Sequence, residues 1–323
     1  MVNSILQRGS HLLVPLGLVL LLGIITAIRA PQTFTYVGLA GAVLVAAPLI
    51  LAAVAITPIA IAGRGGVDLS IGPLIGFVNV TIVVWLGAFQ ITNPFLVFAF
   101  AIGIACIWQL LLASLIIYVR ISPIIASLAG FMILQGVNLV ILPRPGGFAP
   151  EWLGDWGWGT ELFGPVLYIL IAACVIWFLF QRSPMFQHIR LMGADERTAY
   201  TSGVDIVKAR FAAHLMAGVF SGLAALCLTG LIGSGDPTQG NTLTLQAITA
   251  LVLGGTSLTG GKGGITGSIL GALAMYLVFV VLSSFNFGSI SGFMTQLSYG
   301  LMLVISLLLS VLTSQPRLKA VGP

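Results

Sequence analysis

The sequence predicts an all-α integral membrane protein of about ten transmembrane helices. Hydrophobic residues make up 58% of the 323 residues and charged residues only 7%, whereas soluble domains usually carry about 25% charged residues. Long apolar stretches recur along the chain, and about 20 helical residues cross the roughly 30 Å core of a bilayer. The apolar–polar alternation of membrane β-strands does not occur, which favours a helical bundle over a barrel.

Ten stretches are candidates for these helices, in chain order. They lie near 11–28, 38–62, 70–89, 94–118, 123–142, 164–181, 211–233, 243–258, 264–284 and 294–313. The eighth stretch is short, so we expect it to be broken or half re-entrant. We expect one domain, 1–323, with two related halves and a long charged segment, 182–210, between spans six and seven.

The basic residues predict the orientation of the bundle. Ten crossings place both termini on one side, and of the 13 Lys and Arg residues only Arg29 and Arg144 fall on the other side. By the positive-inside rule, the termini are therefore cytoplasmic. The same rule accounts for the net charge of +5, so no nucleic-acid partner is expected.

Few residues are suited to catalysis or metal binding. The histidines are not spaced as ligands, and Cys106, Cys174 and Cys227 fall in different spans, which predicts small core residues. Every acidic residue lies in a predicted loop or at a helix end, so no mid-membrane charge is expected to drive transport. We expect no catalytic residue, no metal and no cofactor, and we expect energy to come from a partner at the charged segment.

The glycine-rich stretch 254–264 does not fit a phosphate-binding loop. Thr256 and Gly263 occupy positions at which that pattern requires glycine and a hydroxyl residue. The alternative is a flexible turn before span nine. On this interpretation Gly263, Gly267 and Gly271 let another helix approach closely.

A second glycine-rich stretch, 63–76, follows span two. Asp68 or Ser70 can cap the third span by accepting hydrogen bonds from its free backbone amides, and Arg64 can pair with Asp68 across the turn. A capped helix start and a gate with a conformational role both fit Arg64, Gly66, Asp68 and Ser70. The sequence leaves both interpretations open.

Polar residues on spans five and eight, together with Asn79 on span three, are candidates for a substrate path. On spans five and eight they share an arc of about 80° at 100° per residue. Uncharged donors and acceptors suit a neutral polyhydroxylated solute, although the same groups also hold helices together in lipid. The candidates are Asn79, Ser127, Gln135, Asn138, Gln246, Thr249 and Thr256.

The loop 143–164 combines acidic residues with tryptophans on the predicted outer side. Aromatic rings of this kind favour the membrane interface. The loop is also suited to docking of a solute-binding protein, and the two interpretations are compatible.

Three blocks of sequence resemble, in order, the membrane permeases of ribose-type ABC importers. The first is GGVDLSIG at 65–72, and the second, GADERTAYTSGV at 193–204, is similar to the coupling-loop motif of that family. The third is GGTSLTGGKG at 254–263, which PTQG at 237–240 precedes. Three motifs in the family's order and topological positions make the resemblance specific.

The resemblance implies a division of labour in the bacterial inner membrane. A periplasmic solute-binding protein would deliver a monosaccharide to two permease subunits, identical or different, and a cytoplasmic ATP-binding-cassette ATPase would drive transport. It also implies a short coupling helix at about 192–204, with Glu196 and Arg197 among its exposed contacts. The coupling residues would be Gly193, Ala194, Asp195, Glu196, Arg197, Ala199, Ser202 and Gly203.

One departure from the family pattern leaves the solute open. Where many ribose-type permeases carry two acidic residues at the start of span eight, this chain has Thr244 and Gln246. A sugar alcohol, a furanose, a nucleoside or an amino acid remains an alternative to a pentose or hexose. A self-contained facilitator or channel is the rival function, and a membrane enzyme ranks behind it.

Overall fold

The computed structural model describes residues 2–285 and 287–314, and these residues form helices without β-strands. The helices are α1 (Val2–Arg29), α2 (Tyr36–Ile61), α3 (Ile71–Thr81), α4 (Pro94–Ser114), α5 (Pro123–Ile141), α6 (Glu151–Gly154), α7 (Pro165–Arg182), α8 (Pro184–Ala194), α9 (Glu196–Thr201), α10 (Ile206–Ile232), α11 (Gln239–Leu253), α12 (Ile265–Ser283) and α13 (Ser291–Ser314). Two π-helical segments, Ile82–Leu86 and Leu115–Val119, extend α3 and α4.

The all-α membrane architecture is confirmed. Each of the ten predicted stretches coincides with a helix, and eight helices of the described residues are long and apolar enough to cross a bilayer. The other two are α3 and α11, and α11 has only 15 residues, or about 22 Å at 1.5 Å per residue. The expected shortness of span eight is therefore confirmed, while ten full crossings and the position of the termini stay predictions.

Two long helices, α2 and α10, form the centre of the bundle. Both are buried over most of their length, and α10 packs along α2 and α4. Close packing with α4 depends on glycine, since a Cβ atom on Gly218 would lie 2.6 Å from the Cα atom of Cys106. A Cβ atom on Gly222 would lie 2.7 Å from the Cα atom of Ile102. Small residues of this kind allow helix backbones to touch in a membrane.

The predicted glycine contact of span nine is confirmed for two of its three residues. A Cβ atom on Gly267 would overlap the carbonyl oxygen of Gly254, and one on Gly271 would overlap that of Ala250. The backbones of α11 and α12 therefore touch. Gly263 instead lies in the preceding loop with a φ of +137° and faces the side chain of Thr256.

One further expectation needs correction, and one stays a prediction. Between α7, which ends at Arg182, and α10, which begins at Ile206, lie α8 and α9, and a cytoplasmic coupling loop over 182–210 stays a prediction. Of the three cysteines, Cys227 is buried and Cys106 half-buried, but Cys174 is exposed on α7. The prediction of a core position is therefore wrong for Cys174.

The bundle has two chemically different ends. We call the end that carries Arg64, Arg120 and Glu196 the basic face; these residues line one cleft together with Arg210. The opposite face carries Arg29, whose guanidinium lies 4.3 Å from the ring centroid of Phe285, and the loop 143–164. The positive-inside rule predicts that the basic face is cytoplasmic.

Candidate functional site

The stretch 63–76, the block 193–204 and the glycine-rich stretch 254–264 meet at one point of the basic face. The loop after α2, the end of α8 and the loop after α11 are in contact there, and the backbone N–H of Gly261 donates to the carbonyl oxygen of Ile61 at 2.9 Å. A Cβ atom on Gly63 would lie 3.0 Å from the Cα atom of Gly193. We call this contact of Gly63, Gly193, Gly260 and Gly261 the glycine junction.

The glycine junction has no room for side chains. A Cβ atom on Gly193 would overlap the carbonyl oxygen of Ile61, and one on Gly260 would lie 2.5 Å from the Cα atom of Gly63. Gly63, Gly260 and Gly261 also have φ angles of +81°, +103° and +73°, which residues with a Cβ atom rarely adopt. Three blocks that are distant in sequence are thus joined through their backbones.

The predicted coupling helix is divided at Asp195. Asp195 is extended, with φ −157° and ψ 109°, and its side chain accepts from the backbone N–H of Thr198, which caps α9. This hydrogen bond holds the pKa of Asp195 below its usual range. A continuous helix over 192–204 is therefore wrong, and α8 and α9 meet at an angle set by this turn.

The surface of α8 and α9 separates exposed from buried residues. Ala199 is buried, and Gly193 is packed in the glycine junction, so these two residues anchor α8 and α9 to the bundle. Tyr200 is 73% exposed and Leu191 54% exposed. Neither Tyr200 nor Leu191 was among the predicted coupling residues, of which the exposed ones are Ala194, Asp195, Arg197, Ser202 and Gly203.

Glu196 differs from the expectation of an exposed contact. Its side chain is 25% exposed, and its Oε2 atom lies 2.5 Å from Nε of Arg64 and 2.8 Å from Nη2 of Arg210. Arg64 has a φ of +58°, a left-handed conformation that costs a non-glycine residue about 1 kcal/mol. The expected pair between Arg64 and Asp68 is therefore wrong, because the turn directs Arg64 to α9.

Asp68 is buried inside the bundle. It is 1% exposed, its Oδ1 atom accepts from the backbone N–H and hydroxyl of Ser70, and its Oδ2 atom accepts from Nε2 of Gln109 at 2.5 Å. Burial raises its pKa, and the three hydrogen bonds oppose that rise. Asp68 lies in the loop before α3, as expected for every acidic residue, but the loop is folded into the bundle and buries the side chain.

The predicted cap of α3 is supplied from another helix. Ser70 occupies the N-cap position but makes no side-chain capping bond, and the free backbone N–H of Gly72 donates to Oγ1 of Thr244 at 3.0 Å. The hydroxyl of Thr244 in turn donates to the carbonyl oxygen of Leu69 at 3.1 Å. Thr244, one of the two departures from the family pattern, thus fastens the start of α3 to α11.

Three functional candidates were not identified from the sequence. Gln109 on α4 is fully buried, and its Oε1 atom lies 2.8 Å from Nδ1 of the buried His214 on α10. Trp108 donates from Nε1 to the hydroxyl of Ser70 at 3.2 Å. A lone glutamine within an apolar span is the signal that points to such a site, because a polar group at bilayer depth needs a partner.

The predicted substrate-path residues on α5 face α3. The Oγ atom of Ser127 donates to the carbonyl oxygen of Val67 at 3.1 Å, and Nδ2 of Asn138 donates to that of Pro73 at 3.0 Å. The Oδ1 atom of Asn138 is buried without a hydrogen-bond partner. Gln135 is half-buried on the same helix.

The other predicted path residues lie on α3, on α11 and in the loop after α11. Asn79 ties α3 to the loop before α11, since it donates to Thr229 and Ser234 and accepts from the backbone N–H of Asp236. Thr249 donates within α11 to the carbonyl oxygen of Leu245. Thr256 is buried in the loop after α11, and its hydroxyl has no partner.

Gln246 lines a pocket of about 200 Å³ on the side of α11 that faces α2 and α13. The pocket combines hydroxyl and amide groups with aromatic rings, an arrangement that ligand sites commonly use. The other polar and aromatic residues that line this pocket are Gln239, Thr242, Tyr276, Phe279 and Tyr299.

The loop 143–164 covers the opposite face. Trp152 donates from Nε1 to the carbonyl oxygen of Thr92 at 2.7 Å and stacks on Phe98, and Trp156 packs beside both. Trp158 is 79% exposed and Phe148 90% exposed. The loop is thus part anchor and part exposed surface. Among the described residues, no three His, Cys, Asp or Glu side chains are grouped as a metal site requires.

A protein-family model described as "Branched-chain amino acid transport system / permease component" matches residues 38–312. The match includes the three sequence blocks 65–72, 193–204 and 254–263 and the helices α8 and α9. No solved structure matches the chain.

Curated relatives share about the same level of identity. Ribose import permease protein RbsC of Bacillus subtilis (strain 168) is 28% identical over 254 residues, which are 76% of each chain. Autoinducer 2 import system permease protein LsrD of Salmonella typhimurium is 29% identical over 221 residues, or 65% of each chain. Ribose import permease protein RbsC of Escherichia coli (strain K12) is 29% identical over 217 residues, 65% of this chain and 67% of the relative.

Proposed function

We propose a function from one premise: this chain belongs to the family of branched-chain amino acid transport system permease components, and ribose import permeases are among its curated relatives. It is a multi-pass protein of the bacterial inner membrane. In our proposal it is the membrane-spanning subunit of an ABC importer. A separate cytoplasmic ATPase hydrolyses ATP, and a periplasmic binding protein delivers the solute.

The observation that carries the proposal is the glycine junction. It joins the loop after α2, the segment α8–α9 and the loop after α11 through Gly63, Gly193 and Gly261. A force applied by a partner to α9 therefore reaches the ends of α2 and α11 directly. This is the connection that an importer driven from outside the membrane requires.

The exposed surface of α9 supports docking of an ATPase at this point. Tyr200 and Arg197 protrude, and beside them a cleft of about 650 Å³ is lined by Arg64, Arg120 and Glu196. Complementary charge on a partner would fix the register of docking. We propose that the coupling residues act in two groups, with Gly193 and Ala199 as anchors and the exposed residues as contacts.

The uncharged polar groups support a neutral polyhydroxylated solute, for which we propose a monosaccharide. Gln246, Tyr276 and Tyr299 line the pocket of about 200 Å³, and the unpaired Oδ1 atom of Asn138 is suited to accept a hydroxyl hydrogen. Two of the three relatives are named ribose import permeases. A nucleoside, a sugar alcohol or an amino acid remains the alternative.

The remaining partners follow from the outer loop and the exposed helix faces. Trp158 and Phe148 stand beside exposed acidic residues on the loop 143–164, a surface suited to a binding protein. α5 exposes apolar side chains such as Met132 and Val140, which fit lipid or a second permease subunit. The proposal allows a homodimer or a heterodimer.

Reconstitution tests the proposal against a self-contained facilitator. The chain is placed in liposomes with its partner ATPase and binding protein, and uptake of labelled pentoses and hexoses is measured. We expect uptake only when ATP and both partners are present. Uptake that persists without them would identify a facilitator, and binding by the secreted partner names the solute.

Labelling tests the predicted orientation. Single cysteines replace Thr201 and Gly154 in a chain that lacks Cys106, Cys174 and Cys227. We expect an impermeant reagent to label the first from the cytoplasmic side and the second from the periplasmic side. Labelling of both from one side would contradict the topology.

A further inference from the structure

A chain of polar side chains connects α9 with the start of α3 through the interior of the bundle. Its members come from four separate parts of the sequence, and four of them are buried. We call it the polar chain. Its members are Glu196, Arg210, His214, Gln109, Asp68 and Ser70.

The first step of the polar chain leaves the protein surface. Nη2 of Arg210 donates to Oε2 of Glu196 at 2.8 Å, and the side chain of Arg210 is only 11% exposed. A charge-assisted hydrogen bond of this kind is stronger than one between neutral groups. The position of α9 is therefore fixed to the first turns of α10.

The second step runs along α10. Arg210 and His214 are four residues apart, so they lie on the same side of the helix. Both line a cavity of about 20 Å³ together with Gly63 and Gly66 of the loop after α2. A cavity of this size suits one water molecule.

The third step crosses from α10 to α4 and on to the loop after α2. Asp68 as a carboxylate only accepts hydrogen bonds, so the Gln109 amide group that contacts it is the NH₂ group. The carbonyl oxygen of Gln109 then faces His214, whose Nδ1 atom must carry the hydrogen. In the carboxylate form of Asp68, donation therefore runs from His214 through Gln109 to Asp68.

The last step reaches the N-terminus of α3. The backbone N–H and the hydroxyl of Ser70 both donate to Oδ1 of Asp68, at 2.8 and 2.7 Å. Ser70 is the N-cap residue of α3, and Trp108 donates to its hydroxyl. Movement of Asp68 therefore moves the N-cap residue of α3.

We propose that Gln109 and His214 are positioning residues that transmit the position of α9 to the start of α3. This inference rests on the proposed function, in which an ATPase docks on α9. A purely structural role would need the same hydrogen bonds to hold α4 and α10 together. Transmission and a purely structural role differ in one respect. Only transmission makes the position of the start of α3 depend on Glu196.

The first experiment measures solute moved per ATP hydrolysed by the full importer in liposomes. Gln109→Leu removes both hydrogen bonds of the amide, and loss of a buried bond to a charged group corresponds to roughly a tenfold change or more. We expect that ratio to fall about tenfold while ATP hydrolysis stays within about twofold. Ser114→Ala is the control, because the Ser114 hydroxyl bonds only within α4.

Variants at His214 separate positioning from folding. In His214→Asn the side-chain amide nitrogen occupies nearly the place of Nδ1 and can still donate to Gln109. We expect His214→Asn to keep the transport ratio and His214→Leu to lose it. Equal ratios in His214→Leu and the wild type would overturn the proposal, as would a loss that follows only the amount of folded protein.

A second experiment needs neither transport nor an ATPase. Val67 is replaced by cysteine in a chain without other cysteines, and the labelling rate is measured in nanodiscs with and without Glu196→Gln. We expect Glu196→Gln to change the rate at least twofold in the otherwise native chain, and not in a Gln109→Leu background. An equal change in both backgrounds overturns the proposal. If the wild-type importer shows no transport, the proposed function fails, while this measurement still tests the polar chain.

Discussion

The starts of α3 and α11 share a sequence pattern but have different surroundings. The runs 65–72 and 233–240 both begin and end with glycine, and each has an aspartate followed two residues later by a hydroxyl residue. Oδ1 of Asp68 accepts from the N–H and hydroxyl of Ser70, and Oδ1 of Asp236 does so from Thr238. The local pattern therefore determines the turn in both places.

Burial makes the two aspartates different. Asp68 is enclosed, and its second oxygen is bonded to Gln109, whereas Asp236 is half-buried and uses Oδ1 again for the backbone N–H of Gln239. The two helix starts meet where a Cβ atom on Gly72 would overlap the carbonyl oxygen of Gly240, and the reverse holds for Gly240. The comparison teaches that one turn serves either as a plain cap or as the end of a polar network. The packed neighbours decide which.

The largest predicted difference concerns the two aspartates. Asp68→Ala leaves buried donors of Ser70 and Gln109 without an acceptor, so we expect a loss of about 3 kcal/mol in unfolding free energy. Asp236→Ala removes a turn bond near the surface, for which we expect a loss of about 1 kcal/mol. Thermal unfolding of both variants in the same detergent measures the difference. Equal losses of unfolding free energy in the two variants would mean that burial does not make Asp68 more important to stability than Asp236.

The next prediction tests the contact between the two starts. Gly72→Ala and Gly240→Ala each place a Cβ atom on the other helix's carbonyl oxygen, and we expect each to cost about 1–3 kcal/mol. Because either substitution already separates the helices, we expect the double variant to cost at least about 0.5 kcal/mol less than the sum. Additive losses would show that the two glycines do not share one contact.

A smaller effect is predicted for the threonine that fastens α3 to α11. Thr244→Val keeps the shape but removes the bonds to Gly72 and Leu69, so we expect a loss of about 1–2 kcal/mol. Thr249→Val is the matched control on α11, since its hydroxyl bonds only to the preceding turn. We expect the control to cost about 0.5 kcal/mol or less. Chemical unfolding of the two variants gives the comparison.

The smallest effect is a dependence on pH. Burial raises the pKa of Asp68 above its ordinary value of 3.8, so the folded state binds this proton more tightly than the unfolded chain does. The resulting stabilisation is complete below pH 3.8 and is lost as the pH rises through the raised pKa. We therefore expect acidification from neutral pH to stabilise the wild type relative to Asp68→Asn. If the melting temperatures of the wild type and Asp68→Asn differ by the same amount at every pH from neutral to acidic, Asp68 is not the group responsible.

Much of the fold was predictable because membranes impose a simple rule. Some twenty apolar residues in a row predict a span, and even the short α11 was visible as a short stretch. The break at Asp195 was also within reach of the sequence, since aspartate three residues before an amide donor is a usual cap. The family resemblance then indicated which loops belong to the functional site.

The site itself was less predictable, because its contacts join residues that are distant in sequence. Arg64 and Asp68 are four residues apart and were expected to pair, yet Arg64 binds Glu196 and Asp68 binds Gln109. The polar residues of α5 were correctly grouped on one side of the helix. Helical periodicity gives no information about which helix that side will face, and here it faces α3.

The glycine junction also bears on how fast the protein can change shape. Packed side chains lock into alternative arrangements, and sliding one element past another requires many rotamers to change together. Gly63, Gly193 and Gly260 present only backbone to one another, so α8 and α9 can slide across the ends of α2 and α11 with little friction. The bonds that hold α9 during such a motion are those from Glu196 to Arg64 and Arg210, which have to shift with it. Small rotations of α9 are thereby made reversible, as a machine that repeats its cycle requires.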